Sequence, residues 1–191
     1  CAKPLDLSIC LPRESISEAN PMTMTFKRTL GWFKKKSNIN SSWIDRSQLV
    51  ELKNIDISED PVRPELDLEW RNSFGRKILG LQYGDEIQAV ICLAFTNDVP
   101  HTVRELDFMS RVSKYENNAN IAIAYTVWSK KKGAGKKIME EVLEYVKMKG
   151  FKRVVTLSPL TPMATHYHIR NGANLIGLNT FTQNFEYRLK E

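Results

Sequence analysis

One short segment combines glycines with a run of lysines at a point where a strand is expected to pass into a helix. It reads Ser129-Lys130-Lys131-Lys132-Gly133-Ala134-Gly135-Lys136. The first N–H groups of a helix have no partner inside it and carry partial positive charge, and glycines let the backbone approach an anion closely. The segment therefore predicts a cradle for a pyrophosphate group, with a plain exposed loop as the alternative. It has neither the Gly-Lys-Ser/Thr ending of a Walker loop nor the full dinucleotide fingerprint.

The histidines are the second group that could do chemistry. The sequence contains three, and His166 and His168 are two residues apart. On a helix such positions point about 200° apart, so the two side chains diverge, and no third ligand is near in sequence. We therefore predict no metal site. A single imidazole titrates near neutral pH and can supply a proton, although a structural or exposed histidine is the alternative.

These residues need a scaffold, and hydrophobic patterns predict one from residue 75 onward. Two β-prone runs flank a turn containing Gly84 and predict a hairpin, while the run at 121–128 predicts a central strand. The predicted strands are 77–83, 87–95, 121–128, 153–157, 174–178 and 185–189, and the predicted helices are 102–113, 136–149 and 163–170. The strand–turn–helix–strand order implies a parallel pair with a right-handed crossover, and the hairpin makes the sheet mixed.

Residues 1–74 are less clearly patterned. We expect them to form an N-terminal arm and the first elements of the same domain, with the core at 75–191. Within this part the pattern favours a strand at 5–11, a turn at Asn20-Pro21, and short helices at 26–33 and 46–54.

Composition excludes several classes of protein. The 191 residues are 42% hydrophobic, which is too apolar for a disordered chain, and the length suits one domain. The longest apolar stretches are far shorter than the roughly 20 residues of a membrane span, and the charges and proline in residues 1–7 argue against a signal peptide. The three cysteines are expected to be reduced thiols, so we expect a cytoplasmic protein without a membrane partner.

The charge is unevenly placed. The chain carries 28 Lys and Arg against 22 Asp and Glu, a net charge of +6, and the excess gathers in short basic clusters. Such clusters suit phosphate-bearing partners. Zinc spacing, a basic zipper and an aromatic-basic RNA signature are all absent from the sequence, so nucleic acid is not the expected partner.

The lysine–glycine turn resembles the coenzyme A pyrophosphate loop of the GNAT acyltransferase superfamily. Lys130, Gly133 and Gly135 fall on its pattern, although the superfamily usually has Arg or Gln at the position of Lys130. The resemblance implies an α/β (α+β) fold with a mixed, mostly antiparallel sheet that is split in a V and flanked by helices. It also implies a coenzyme A thioester, acetyl-CoA or malonyl-CoA, as the small-molecule partner. The residues implied in binding it are Val127, Ser129, Lys130, Lys132, Gly133, Ala134, Gly135 and Lys136.

Two further motifs resemble the catalytic domain of malonyl-CoA decarboxylase, which is itself GNAT-like. Residues 156–162 read Thr-Leu-Ser-Pro-Leu-Thr-Pro, similar to that family's Thr-Leu-Ser-Pro-Ile-Pro motif, and residues 167–173 read Tyr-His-Ile-Arg-Asn-Gly-Ala, similar to its Phe-His-Leu-x-Asn-Gly-Ala motif. The resemblance covers roughly residues 75–180. Two departures stand out: residues 1–74 are too short for that family's separate helical domain, and Ser158 and His168 are ten residues apart where the family has a long insertion.

By this resemblance, Ser158 and His168 are the catalytic pair of an enzyme that decarboxylates a malonyl-type CoA thioester. The reaction forms an enolate, so its site must stabilise an oxyanion and deliver a proton to carbon. Which of the two residues protonates and which orients stays open. Thr126, Trp128, Tyr167 and Asn171 are expected to line the acyl pocket.

Two other functions stay open at this point. One is an N-acyltransferase that moves an acetyl group from acetyl-CoA to an amine. His168 would then be its general acid, because it lies four residues before Gly172, where many acetyltransferases of the superfamily have a tyrosine. The other is a non-catalytic GNAT-like module whose basic arm contacts nucleic acid or a partner. The acceptor and the oligomeric state stay undetermined.

Overall fold

A computed structural model describes residues 41–189. The strands are β1 (Gln48–Leu52), β2 (Lys77–Tyr83), β3 (Glu86–Thr96), β4 (Ile121–Ser129), β5 (Arg153–Thr156), β6 (Ser158–Pro159), β7 (Asn174–Leu178) and β8 (Thr182–Tyr187). The helices are α1 (Ser41–Asp45), α2 (Leu68–Asn72), α3 (Val103–Glu116), α4 (Ala134–Met148) and α5 (Pro162–Arg170), with a 3₁₀ turn at Ile57–Glu59. The predictions at 5–11, at Asn20-Pro21 and at 26–33 lie outside the described residues.

Within residues 41–189 the strands form one mixed sheet of eight, in the order β1-β2-β3-β4-β5-β8-β6, with β7 paired to β8. Every pairing is antiparallel except that of β4 with β5, which α4 connects. This confirms the predicted mixed, mostly antiparallel sheet and its parallel crossover pair.

Helices cover both faces of the sheet because alternate strand residues are apolar on each side. On one face, α4 packs Ile138, Val142 and Val146 onto the sheet. On the other face, Leu106 of α3 joins a second core that includes Ile123 and other strand residues. Among residues 41–189, no helix is both long and apolar enough to cross a membrane.

The centre of the sheet is irregular where β4 meets its neighbours. Cys92 pairs with Thr126 and Leu93 with Ala124, so Tyr125 is an extra residue that bulges from β4. The parallel pairing of β4 with β5 ends at Ala124 and Thr156, and β4 then runs on to Ser129 without that partner. The two strands therefore part in the predicted V.

One buried arginine joins the parted strands. Arg63 donates from Nε to the carbonyl oxygen of Tyr125 and from Nη2 to that of Leu157, each at 2.9 Å. These carbonyls are freed by the bulge and by the end of β5, and buried carbonyls need partners. Arg63 therefore stabilises the open end of the split.

Most predicted elements match the structure to within a few residues, but one is wrong. Residues 46–54 were expected to form a helix, whereas Gln48–Leu52 forms β1 and pairs antiparallel with β2. Backbone bonding to the free edge of β2 prevails over the weak helical pattern. The last strand also begins earlier than predicted, at Thr182. The division of the chain at residue 74 stays a prediction.

Candidate active site

A cavity of about 400 Å³ opens where β4 and β5 part. Its lining comes from residues 124–129 of β4, Ser158 and Pro159 of β6, Gly135 of α4, residues 163, 164, 167 and 168 of α5, and Pro61, Val62 and Thr161 from loops. Residues 41–189 contribute no Asp, Glu, Lys or Arg side chain to this lining, so within them any charge that develops inside must be stabilised by neutral donors or by the backbone.

Ser158 and His168 meet at the wall of this cavity. Ser158 is in β6, directly after β5 ends, and the chain then turns into α5, which Thr161 caps by accepting a hydrogen bond from the N–H of Ala164. Pro162 occupies the first helical turn, where its missing N–H costs nothing. This short path places Oγ of Ser158 2.7 Å from Nε2 of His168.

The other ring nitrogen of His168 also has a partner. Its Nδ1 lies 2.9 Å from the hydroxyl of Tyr187 in β8, and the ring stacks on Phe185 at 5.0 Å. Only 4% of His168 is exposed, and burial lowers its pKa to about 4. The imidazole is therefore neutral near pH 7, with one nitrogen donating and the other accepting.

The hydrogen-bond network selects one tautomer of His168. Burial raises the pKa of Tyr187, so its hydroxyl keeps its proton, and His168 Nδ1 is its hydrogen-bond partner. Oγ of Ser158 donates its single proton to Oγ1 of Thr156 at 3.0 Å, so Nε2–H of His168 donates to Ser158 and Nδ1 accepts from Tyr187. Thr156 also accepts from the N–H of Phe185. A ligand in the cavity would therefore compete with Thr156 for the proton of Ser158.

The strand–helix turn lies beside the cavity. Gly133 has φ +90°, a left-handed conformation that favours glycine, and it caps α4 without a side-chain hydrogen bond. The N-terminus of this 15-residue helix thus keeps its partial positive charge unscreened by a capping side chain. Tyr167 donates from its hydroxyl to the carbonyl oxygen of Gly135 at 2.7 Å and so fixes α5 against the turn.

The lysines of the turn have different surroundings. Nζ of Lys130 lies 2.7 Å from a carboxylate oxygen of Glu59, and Nζ of Lys131 lies 4.3 Å above the ring of Trp43. Lys132 is exposed and has no ion pair within residues 41–189. Lys132 is therefore the loop lysine most available to an anion, while Glu59 competes for Lys130.

A buried ionic cluster supports β4 behind the cavity. Asp60 accepts from Nη2 of Arg71 at 2.8 Å, and neither side chain is exposed. Its other oxygen accepts from Oγ1 of Thr126 at 2.8 Å. Buried charges need such partners, and here the pair holds Thr126 immediately after the bulge.

Comparison with known proteins gives a likeness of fold. No protein-family model matches the chain, and no curated protein matches it significantly. A malonyl-CoA decarboxylase from Rhodopseudomonas palustris matches with a TM-score of 0.61 at 16% identity, over 78% of this chain and 62% of that one. A malonyl-CoA decarboxylase from Agrobacterium vitis matches with a TM-score of 0.54 at 19% identity, over 73% and 40%. The GNAT domain of S. lividans PAT matches with a TM-score of 0.52 at 13% identity, over 74% and 89%.

The chain has a GNAT-like fold. The predicted resemblance is thus confirmed at the level of fold, and the chain spans 62% of the length of the R. palustris enzyme. Identities below 20% leave the reaction to be argued from the site.

The GNAT-like fold brings many of the predicted site residues to the cavity. Ser158, His168, Thr126, Trp128, Tyr167, Val127, Ser129 and Gly135 line it. Lys130, Lys132, Gly133, Ala134 and Lys136 lie in the adjoining turn and first turn of α4, where the buried Ala134 can offer only backbone. Asn171, expected in the acyl pocket, lies outside the cavity lining: it is at the C-terminal end of α5, and its amide donates to the carbonyl oxygen of Tyr167 at 2.9 Å.

Sequence reasoning missed the residues that position the pair and the strands. Tyr187 had a signal, since it alternates with Phe185 in a predicted strand and so shares its face. The sequence gives no comparable signal for Asp60, Arg63 or Arg71, because these residues lie in irregular or short elements whose pattern does not predict burial.

Proposed function

We propose that this protein is an acyl-CoA enzyme that decarboxylates a malonyl-type CoA thioester. The observation that carries the proposal is the hydrogen bond between Ser158 and His168 at the wall of the cavity. The cavity adjoins the N-terminus of α4, where no side chain forms a capping hydrogen bond. The GNAT-like fold supports a CoA thioester as the ligand of that turn.

The turn is suited to the pyrophosphate of coenzyme A. The first N–H groups of α4 point out of the helix, and Gly133 and Gly135 allow close approach. Lys132 supplies charge without competition from a carboxylate within the described residues. The acyl end of the thioester would then extend between β4 and α5 towards Ser158.

Ser158 and His168 would carry out the chemical step. Breaking the bond between the carboxylate carbon and the α-carbon releases carbon dioxide and leaves the electron pair on the thioester as an enolate. The hydroxyl of Ser158 can turn its proton from Thr156 to the enolate oxygen or to the α-carbon, and Nε2–H of His168 can replace that proton. One proton is taken from solvent in each turnover, so the products are carbon dioxide and acetyl-CoA.

Neutral donors suit this reaction. A bound thioester would displace water from the cavity, and each aimed donor would then be worth more than in water. Tyr187 keeps His168 in the tautomer that donates to Ser158, so we assign it as a positioning residue.

The test is to incubate the protein with malonyl-CoA and to measure carbon dioxide and acetyl-CoA. Ser158→Ala and His168→Ala should each lose at least a hundredfold in rate, and His166→Ala, on an exposed residue of the same helix, is the matched control. Equal rates for the wild type and His168→Ala would refute the proposal. Release of coenzyme A from acetyl-CoA only when an amine is present would indicate an N-acyltransferase instead.

A further inference from the structure

A second concavity adjoins the cavity at Pro159, which lines both. It is a groove of about 520 Å³ between the start of α3 and the loop before β8, and its polar lining includes Arg63, His101, Thr102 and Thr180. Unlike the cavity, this groove has a cationic side chain in its wall.

Arg63 is buried without a carboxylate partner. Only 7% of the residue is exposed, and two of its three guanidinium nitrogens donate to the carbonyl oxygens of Tyr125 and Leu157. The third nitrogen, Nη1, has no partner among residues 41–189. It is also not among the fully buried atoms that lack one, so it keeps some accessible surface.

Two carboxylates act electrostatically on Arg63, the exposed Glu65 and the buried Asp60. Asp60 is already engaged: it pairs with Arg71 and accepts the backbone N–H groups of Val62 and Arg63 at 2.8 and 3.1 Å. Two buried arginines thus accompany one buried aspartate, and the charge of Glu65 lies in solvent, where it compensates a buried cation only weakly. An isolated buried charge is costly, so an anion that reached Nη1 would be strongly favoured.

One acidic residue of the groove opposes an anion. Glu105 is partly exposed and accepts the backbone N–H of His101 at 2.7 Å. It lies in the first turn of α3, so removal of its charge should strengthen anion binding without disturbing the core.

We propose that the groove binds a carboxylate through Nη1 of Arg63. The inference rests on the proposed function, because the groove adjoins the cavity in which the thioester would react. The carboxylate would come either from the acyl group of the thioester or from a second reactant, and binding experiments separate these two sources.

The role of Arg63 would be selection and not catalysis. Carbon dioxide leaves without charge, so a cation beside the carboxylate stabilises the bound substrate more than the transition state. Arg63→Gln should therefore raise KM for malonyl-CoA while kcat stays the same or rises. A purely structural role would instead lower kcat and weaken all thioesters alike.

Calorimetric titration of the wild type, Arg63→Gln and Glu105→Gln with malonyl-CoA and with acetyl-CoA tests the proposal. The wild type should bind malonyl-CoA about tenfold tighter than acetyl-CoA. Arg63→Gln should abolish this preference, and Glu105→Gln should increase it. If the carboxylate belongs to a second reactant, the protein with acetyl-CoA bound should instead prefer glycine over glycinamide, and Arg63→Gln should abolish that preference.

The proposal is overturned if neither preference exists in the wild type, or if the preference that does exist survives in Arg63→Gln. Should Arg63→Gln fail to fold, an unchanged preference in Glu105→Gln overturns it. Failure of the proposed function looks different: an Arg63-dependent preference would be present, but malonyl-CoA would release no carbon dioxide.

Discussion

His168 should make the stability of the protein depend on pH in a way that one substitution can isolate. Burial lowers the pKa of His168 from its ordinary value of 6.5 to about 4. In the unfolded chain the imidazole regains its ordinary pKa. Between pH 4 and pH 6.5 the ring is therefore protonated in the unfolded state and neutral in the folded state. Stability from the neutral ring is therefore complete above pH 6.5 and is lost as the pH falls towards 4.

The size of this effect follows from the two pKa values. Each pKa unit corresponds to about 1.4 kcal/mol, and the loss between pH 7.5 and pH 4.5 is about 2.5 kcal/mol in free energy of unfolding. Urea titrations at several pH values give this free energy for the wild type and for His168→Gln, which cannot titrate. The wild type should lose about 2.5 kcal/mol more than the variant over this range, because the carboxylates contribute equally to both.

The matched control is His166→Gln, which changes an exposed residue two positions away on α5. It should follow the wild type at every pH. If His168→Gln and the wild type lose stability in parallel, then His168 is not buried as a neutral ring, and the assignment of its tautomer fails with it.

Three further substitutions have distinct expected outcomes. Tyr187→Phe leaves Nδ1 of His168 without a partner, so the free energy of unfolding should fall by about 1–3 kcal/mol in urea titration and decarboxylation should slow at least tenfold. Gly133→Ala places a Cβ at φ +90°, so thermal unfolding should show a loss of about 1–3 kcal/mol and coenzyme A should bind more weakly by calorimetry. Asp60→Ala leaves the buried charge of Arg71 without its ion-pair partner, so urea titration should show a loss of about 3–5 kcal/mol in the free energy of unfolding.

The sheet and its main helices were predictable because each one buries a regular stripe. Helix α4 was expected at 136–149 and is observed at Ala134–Met148, with Ile138 and Val142 buried. The predicted start is two residues late because Gly133 and Gly135 were assigned to the turn between strand and helix. In the structure, Gly133 is the cap itself, and its positive φ lets the helix begin at once.

The irregular parts of the sheet left no such signal. The pattern at 46–54 resembled a helix, yet β1 forms there because the edge of β2 is free to pair with it. The bulge at Tyr125 shifts the alternation of β4 by one residue, and a periodic pattern cannot reveal this in advance.

The candidate site, like the fold, was predictable only in part. Ser158 and His168 came from motifs, and a span of ten residues suffices for them to meet because β6 passes directly into the capped helix α5. The long insertion that separates the corresponding motifs in the decarboxylase family is therefore not needed for this contact. Loop residues Pro61 and Val62, which lie far from both motifs in sequence, supply part of the cavity wall.

Arg63 links the shape of the cavity to its chemistry. The split between β4 and β5 leaves the carbonyl oxygens of Tyr125 and Leu157 without ladder partners, and a buried unpaired carbonyl is costly. A neutral amide can satisfy two carbonyls, as Asn184 does for Pro100 and Thr156. The planar guanidinium of Arg63 likewise reaches both, and it still has a nitrogen left over. The charge that comes with this geometry must itself be compensated, but Asp60 is already shared with Arg71 and Glu65 lies in solvent. Arg63, which stabilises the split, therefore also favours the binding of an anion beside it. Substituting Arg63 must for this reason be judged by the ratio of affinities for malonyl-CoA and acetyl-CoA, since a change in stability alone would reflect only the first of these two roles.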